Sequence, residues 1–230
     1  PGGALVSPRK RISSMKTALE GEMKILGRIT DASNATLLAE IDDVKVVYKP
    51  IAGERPLWDF PTGNLAQREY SAYLVSEILG FGIVPTTILR DGPYGVGMVQ
   101  EWQEPNSEID IVDIAQSEND AIRKMAIFDV IINNGDRKFG HILPVSTEEI
   151  YGCDHGVTFN VENKLRTVLW QWRGTPYKPE ELEVFSKAID FALSGDLVDY
   201  LTGEELNAMV IRCSEQISTG LFPQPSEDWP

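Results

Sequence analysis

The spacing of apolar residues changes part-way along the chain, and this change limits the folds available to it. Up to about residue 100 the apolar residues form short β-branched runs separated by turn-forming clusters, which is typical of strands. From about residue 117 they recur at every third or fourth position, which is typical of helices. Runs of strands followed by runs of helices predict an α+β protein with two lobes and a cleft between them.

The first half of the chain is predicted to be a small sheet with one helix. The predicted strands cover residues 25–30, 35–41, 44–49, 84–90 and 95–100. One helix is predicted between the third and fourth strands, with Asn64 as a suitable N-cap and Gly80 just after its end. Alternation along the third strand places Lys49 on the face opposite Tyr48.

The second half is predicted to be mostly helical. Its predicted elements are a helix capped at 117–120 and running to Ile132, a loop over 133–140, a short hairpin over 141–153, and helices over 179–193 and 202–217. Trp170 and Trp172 would face the same way on a strand. We expect a flexible lead-in over 1–22, a first lobe over 23–102, a second lobe over 103–222 and an irregular tail over 223–230.

Composition and charge narrow the possible functions. The chain of 230 residues is 42% hydrophobic and 24% charged, as soluble globular proteins are, and no apolar run approaches the length of about 18 residues that a membrane helix needs. Its start has no apolar stretch of signal-peptide length, and two cysteines form no disulfide framework, so we expect a cytoplasmic protein. The net charge of -14 disfavours binding to nucleic acid or anionic lipid but permits a metal nucleotide.

Two carboxylates lie on either side of the predicted hairpin. Asp136 falls in the segment Asn-Asn-Gly-Asp-Arg-Lys at 133–138, and Asp154 follows a strand in Cys-Asp-His-Gly at 153–156. One carboxylate to accept a proton and a second to hold a metal ion is what kinase-type phosphoryl transfer requires. The only two histidines, His141 and His155, adjoin them. A zinc hydrolase is disfavoured, because no short ligand pattern such as Cys-x-x-Cys is present.

Other polar residues could complete a nucleotide site. Lys49 could bind phosphates, or it could be a solvated strand-end lysine. Glu69 lies on an apolar helix face, so it needs a cationic partner such as Lys49 unless it is a partly exposed rim residue. The turn at 31–36 could cover phosphates with the Ser33 hydroxyl, or it could be an ordinary hairpin turn.

Arg137 and Lys138 follow the loop carboxylate directly. They would add positive charge beside Asp136, keep it ionised and contact the transferred phosphate. The alternative is a solvated pair of basic loop residues, and it is the stronger interpretation for Lys138.

Taken in order, Tyr48-Lys49-Pro50, Arg68-Glu69, the segment 133–138 and Asp154-His155-Gly156 resemble motifs of the phosphatidylinositol 3-/4-kinase-like branch of the protein-kinase-like fold. More closely, the chain resembles an actinobacterial family related to those kinases, over residues 23–220. The resemblance implies a first lobe of small antiparallel sheet and one helix, and a mostly helical second lobe.

The resemblance also implies ATP with Mg²⁺ or Mn²⁺ as cofactors. Lys49 would bind the nucleotide phosphates, Glu69 would support it, Asp136 would be the catalytic-loop base and Asp154 a metal ligand. The interlobe hinge would bind adenine through its backbone, and it comprises Met98, Val99, Gln100, Glu101 and Trp102.

Two positions depart from the kinase pattern. Lys138 stands where those kinases have histidine, and His141 stands where they have the asparagine that holds a second metal ion. Imidazole is a poor ligand for Mg²⁺ and suits Mn²⁺ better, so the expected metal ligands are Asp154 and His141.

The sequence therefore predicts an ATP-dependent phosphotransferase acting on an unidentified hydroxyl. It leaves open a nucleotide-binding pseudokinase and an AMP transferase. A kinase of the aminoglycoside-phosphotransferase type is disfavoured, because such enzymes normally carry histidine where this chain has Asn134.

Overall fold

The computed structural model describes residues 19–29, 35–55, 57, 60 and 64–226 of the chain. Its internal contacts divide the chain into two compact units, residues 1–102 and 103–230. The first unit holds a five-stranded sheet and one long helix, and the second holds helices and a two-stranded hairpin. The predicted α+β class is confirmed.

The first unit is built on an antiparallel sheet. Its strands are β1 (Met23–Arg28), β2 (Leu37–Ile41), β3 (Val44–Pro50), β4 (Thr87–Gly92) and β5 (Gly95–Glu101). They lie in the order β1-β2-β3-β5-β4, and every neighbouring pair is antiparallel. All five predicted strands are therefore present, with β5 in the interior of the sheet between β3 and β4.

One face of this sheet packs into an apolar core. Val46, Tyr48 and Val99 are fully buried there, as the predicted alternation requires. Leu19 belongs to the same core, and the Arg90 guanidinium donates hydrogen bonds to the main-chain carbonyls of Leu19 and Gly21. Leu19 and Gly21, which the sequence assigned to a flexible lead-in, thus contact the sheet.

The helix α1 (Leu65–Ile78) begins as the sequence predicted. The side chain of Asn64 accepts a hydrogen bond from the Gln67 N–H at 3.4 Å. The carboxylate of Glu54 accepts bonds from the Leu65 and Ala66 N–H groups at 3.0 and 2.8 Å. Three N–H groups that lack partners inside the helix are thereby paired, and a negative charge lies at the positive end of the helix dipole. The helix packs against β4 and β5.

The second unit contains the remaining elements. They are α2 (Ile111–Ala115), α3 (Asp120–Ile132), β6 (Ile142–Pro144), β7 (Ile150–Gly152), α4 (Pro179–Leu193) and α5 (Gly203–Thr219). Asn119 caps α3, and Thr202 caps α5 with Glu205 as its reciprocal partner. The helices α4 and α5 pack against each other, and α3 packs against both. This α-helical core carries the loop that follows α3.

Two features of the second unit differ from the predictions. The helix α2 was not predicted, because a single turn leaves almost no periodic signal. Trp170 and Trp172 lie at the start of a turn rather than on a strand. Trp172 is buried and its indole N–H donates to the Glu118 carboxylate at 2.8 Å, so it has a packing role. In the described part of the chain, no helix is long and apolar enough to cross a membrane.

Candidate functional site

The first unit contains the predicted lysine–glutamate pair. The ammonium of Lys49 on β3 lies 2.6 Å from Oε1 of Glu69 on α1. The Glu69 side chain is 2% exposed and that of Lys49 is 20% exposed. A carboxylate on a buried helix face needs a cation, and the lysine at the end of β3 supplies it. The pair fixes the ammonium at one place on the sheet, and part of the lysine side chain stays open to solvent.

The predicted hinge residues lie along β5, and their side chains alternate between the two sheet faces. Met98 pairs with Lys49 across the strands, so both side chains lie on the same face. Gln100 lies on that face too, and its amide donates to the Thr87 hydroxyl at 2.9 Å. Val99 packs into the core on the opposite face. Only alternate residues of the predicted hinge therefore share the face of Lys49.

The backbone of the predicted hinge is largely engaged within the sheet. Residues 98–100 pair with β3 on one side and β4 on the other. The N–H groups of Glu101 and Trp102 donate to Thr86 and Lys45 carbonyls, each at 2.9 Å. An interior strand has few free main-chain groups, so the expected adenine contact through the backbone of Met98, Val99 and Gln100 does not fit this geometry. The predicted phosphate-covering residue Ser33 lies outside the described residues.

Asp136 lies in the loop between α3 and β6. Asn134 shapes this loop: its side-chain oxygen accepts from the Asp136 N–H at 3.0 Å. One carboxylate oxygen of Asp136 accepts a hydrogen bond from the Lys138 ammonium at 2.7 Å. Among the described residues the other oxygen, Oδ1, has no partner. Both side chains are exposed, so the loop presents a carboxylate and an ammonium to solvent.

The fastening segment, residues 157–166, follows Asp154-His155-Gly156 and holds this loop in place through main-chain hydrogen bonds. The N–H of Gly135 donates to the Val157 carbonyl at 2.9 Å, and the N–H of Arg137 donates to the Arg166 carbonyl at 3.0 Å. The N–H of Arg166 returns a bond to Asn134 at 2.8 Å. The loop conformation is therefore set by main-chain pairing with residues about 20 to 30 positions further along.

Arg137 does not point to solvent as a basic loop residue would. Its guanidinium and the carboxylate of Asp129 are both fully buried, and they form an ion pair at 2.8 Å. Asp129 belongs to the last turn of α3 and also accepts bonds from Asn134 and Thr167. The expectation that Arg137 contacts a transferred phosphate is therefore wrong for its side chain, because a buried carboxylate already holds it.

His141 and Asp154 come together at the base of the hairpin. The Nε2 atom of His141 lies 3.4 Å from Oδ2 of Asp154. The N–H of Cys153 donates to the His141 carbonyl at 3.1 Å, which joins the two chain segments. Asp154 has a left-handed backbone conformation with φ of 60°, which aspartate tolerates better than most residues. Its side chain is 51% exposed.

The donors of this pair fit a divalent cation. Burial lowers the pKa of His141, although the Asp154 carboxylate opposes that effect. A neutral imidazole offers its ring nitrogen as a ligand, and a carboxylate suits Mg²⁺ or Mn²⁺. Within the described ranges no group of three or more histidine, cysteine, aspartate or glutamate side chains is placed to hold a metal ion. A cation here would therefore need further ligands from a bound substrate or water.

The sequence interpretation missed Asp129 and the fastening segment 157–166. Asp129 interrupts the apolar run Ala-Ile-Phe-Asp-Val-Ile-Ile at 126–132. A carboxylate in such a run requires a cation, which is the reasoning that identified Glu69. The main-chain pairing of residues 157–166 has no comparable signal, because it does not depend on side-chain type.

Comparison with known proteins identifies relatives at two levels. The Mycobacterium tuberculosis protein Rv2133c is 42% identical to this chain, over 90% of the chain and 90% of the relative. The chain belongs to the Rv2133c family. No model of a known protein family matches it.

Solved kinase structures share the fold of this Rv2133c-family member. The Helicobacter pylori proinflammatory kinase CtkA matches with a TM-score of 0.51 and 12% identity, over 88% of this chain and 93% of that one. The Golgi casein kinase with Mn and ADP bound matches with a TM-score of 0.59 and 13% identity, over 91% of this chain and 75% of that one. These similarities show a protein-kinase-like fold; membership of the phosphatidylinositol 3-/4-kinase branch stays a prediction.

Proposed function

We propose that this chain is an ATP-dependent phosphotransferase that transfers the γ-phosphoryl group of ATP to a hydroxyl. The Lys49–Glu69 ion pair, in the sheet-and-helix unit of a protein-kinase-like fold, is the observation that carries the proposal. A lysine held by a buried carboxylate presents its charge at a fixed position, and 20% of its side chain stays accessible. This is how a kinase lysine is oriented toward nucleotide phosphates.

In the second unit, Asp136 is the proposed acceptor-orienting residue. Its Oδ1 atom is available to accept the hydrogen of an acceptor hydroxyl, which aligns the hydroxyl oxygen for attack and removes its proton. The ammonium of Lys138 donates a hydrogen bond to Oδ2 of Asp136. It is a compact, exposed charge that would contact the transferred phosphate. Arg137 is adjacent to Asp136 in sequence but is not proposed to contact the phosphate or the acceptor, because its guanidinium is buried.

Asp154 and His141 are the proposed ligands of a divalent cation. A bound cation would neutralise charge on the nucleotide phosphates. The imidazole of His141 favours Mn²⁺ over Mg²⁺, because Mg²⁺ strongly prefers oxygen ligands. A Golgi casein kinase of the same fold has been solved with Mn and ADP bound, which supports the same pair of cofactors here.

The net charge of the chain limits the class of acceptor. A net charge of -14 repels anionic lipid surfaces, so a hydroxyl on a protein or small molecule is the better candidate. We infer a cytoplasmic setting from the cysteine content alone, since the free cysteines are Cys153 and Cys213.

A second candidate function is nucleotide binding without turnover. The Lys138–Asp136 ion pair favours it, because the ammonium already bonds one oxygen of the proposed base at 2.7 Å. Both side chains are exposed, however, and such pairs stabilise a protein by only about 0–1 kcal/mol. An arriving phosphate or hydroxyl could displace the lysine easily, so this pair does not prevent turnover.

The test compares ATP turnover in Asp136→Asn with turnover in Asp190→Asn, a matched control on the exposed face of α4. We expect the first variant to lose about 10²–10⁴-fold in turnover while still binding nucleotide, and the control to be unchanged. Mass spectrometry of the products separates a gain of phosphate from a gain of AMP. Nucleotide binding by the natural chain without ATP consumption would favour the second candidate, and full activity in Asp136→Asn would refute the assigned role.

A further inference from the structure

Every N–H of the Arg137 guanidinium is engaged in the interior of the second unit. The Nε atom lies 3.1 and 3.2 Å from the two Asp129 carboxylate oxygens. The Nη2 atom donates to Asp129 at 2.8 Å and to Nε2 of His155 at 2.8 Å. The Nη1 atom donates to the carbonyls of His141 and Cys153, each at 3.3 Å. All five donors of the fork are therefore used.

These contacts join the three segments that carry the candidate site. The anchor Asp129 lies in the last turn of α3, and Arg137 follows Asp136 in the loop. The carbonyl of His141 belongs to one candidate metal ligand, and Asp154 lies between the contacted residues Cys153 and His155. Because an arginine N–H can only donate, Nε2 of His155 accepts in this contact.

Gly152 makes this arrangement possible. A Cβ atom at this position of β7 would lie 2.9 Å from Nη1 of Arg137 and 3.2 Å from Nη2. The third-nearest atom, at 3.3 Å, is also part of the guanidinium. Glycine weakens a strand interior and often marks a close approach by another group, and here that group is the guanidinium. A side chain at position 152 would therefore collide with the Arg137 guanidinium.

A requirement for stability alone does not explain the choice of residues. Replacing a buried ion pair by well-packed apolar side chains of similar volume is often neutral or stabilising. An apolar side chain at position 137 would, however, leave the carbonyls of His141 and Cys153 without this donor. Lysine could not replace arginine, since it has three donors on one atom and cannot span Asp129, His155 and two carbonyls.

We propose that Arg137 is a positioning residue: held by Asp129, it fixes the backbone at His141 and Cys153 and so sets the separation of the candidate metal ligands His141 and Asp154. The catalytic consequence rests on the proposed phosphotransferase function. The geometric consequence does not, because it concerns only the hairpin and the loop.

The experiment uses two variants of the full chain. Arg137→Lys removes the guanidinium, and Gly152→Ala places a methyl group against it. Arg123→Lys is the matched control, because Arg123 also pairs with a carboxylate, Glu181, from the other end of α3. Amide hydrogen exchange at the Cys153 N–H, which bonds the His141 carbonyl, reports the local geometry. Calorimetry with Mn²⁺ and a non-hydrolysable ATP analogue reports cation and nucleotide binding.

We expect both test variants to raise the exchange rate at Cys153 by about tenfold or more, without a similar rise in α5, since the opening is local. They should weaken the affinity for Mn²⁺ and reduce kcat for ATP turnover about tenfold, while KM for ATP, measured at saturating Mn²⁺, changes less than threefold. The control should lose thermal stability and show none of these changes. Gly152→Ala keeps the test available if Arg137→Lys does not fold.

Exchange at Cys153 within twofold of the natural chain in both variants would overturn the proposal, as would an equal change in Arg123→Lys. The two hypotheses fail separately. If the natural chain neither binds nor consumes ATP, the proposed function is wrong, but the exchange rate at Cys153 still decides whether Arg137 sets this geometry.

Discussion

Replacement of Lys49 by methionine tests the ion pair in the first unit most directly. Methionine keeps much of the length of the lysine stem but removes the ammonium that lies 2.6 Å from the Glu69 carboxylate. Glu69 is 2% exposed, so its charge would remain in the interior without this cation. Removing one partner of a fully buried pair costs about 3–5 kcal/mol. Since the Lys49 side chain is 20% exposed and water reaches the pair, we expect a loss of about 2–3 kcal/mol.

Urea unfolding of four proteins measures this loss: the natural chain, Lys49→Met, Glu69→Gln and the double variant. The double variant also removes the negative charge of Glu69, so it should be more stable than Lys49→Met alone by about 1 kcal/mol or more. The difference from additivity is the coupling energy of the pair. An unfolding free energy for Lys49→Met equal to that of the natural chain would refute the buried-pair explanation, and so would strict additivity.

The same variants separate the effect on folding from the effect on nucleotide binding. Lys49→Met should weaken binding of a non-hydrolysable ATP analogue by about tenfold or more, because a charge-assisted contact is lost. Glu69→Gln keeps the lysine charge and loses only its orientation, so its effect on affinity should be smaller. Equal affinity in all four proteins would show that Lys49 does not contact the nucleotide.

Two further predictions concern stability. Burial raises the pKa of Glu181, but the hydrogen bonds from Arg123 and from the Lys178 N–H outweigh it, so the pKa is lowered. The Arg123–Glu181 ion pair therefore stabilises the fold above the ordinary carboxylate pKa. It loses this effect as the pH falls through the lowered pKa. Glu181→Gln should therefore lower the unfolding free energy by about 1–2 kcal/mol at pH 7, with a difference that shrinks below about pH 4 in urea titrations; a difference independent of pH would contradict this. Leu19→Ala should cost about 2–4 kcal/mol in the same assay, because Leu19 is 2% exposed, and a loss below 1 kcal/mol would show that residue 19 is not part of the core.

The elements of the fold follow largely from local signals. The helix α4 has the predicted bounds, Pro179–Leu193, because proline at its first position and acidic residues in its first turn mark its start. The five strands follow from β-branched runs between turn clusters. The strand order and the interior place of β5 depend on tertiary pairing, and they decide which main-chain groups remain available for a ligand.

The candidate site was predictable only in part. Glu69 could be identified because a carboxylate on an apolar helix face implies a cation. The direction of Arg137 could not, since its partner Asp129 lies eight residues away and the segment 157–166 completes the enclosure. A loop of polar residues is expected to be solvated, and only tertiary contacts show that one of its two basic side chains is buried.

The proposed function requires this chain to bind a metal nucleotide. Isothermal titration calorimetry of the purified chain with a non-hydrolysable ATP analogue, in the presence of Mn²⁺ and separately of Mg²⁺, tests it most directly. Saturable binding that requires a divalent cation, is tighter with Mn²⁺ and is weakened in Asp154→Asn is the predicted result. The absence of binding with either cation would contradict the proposed function.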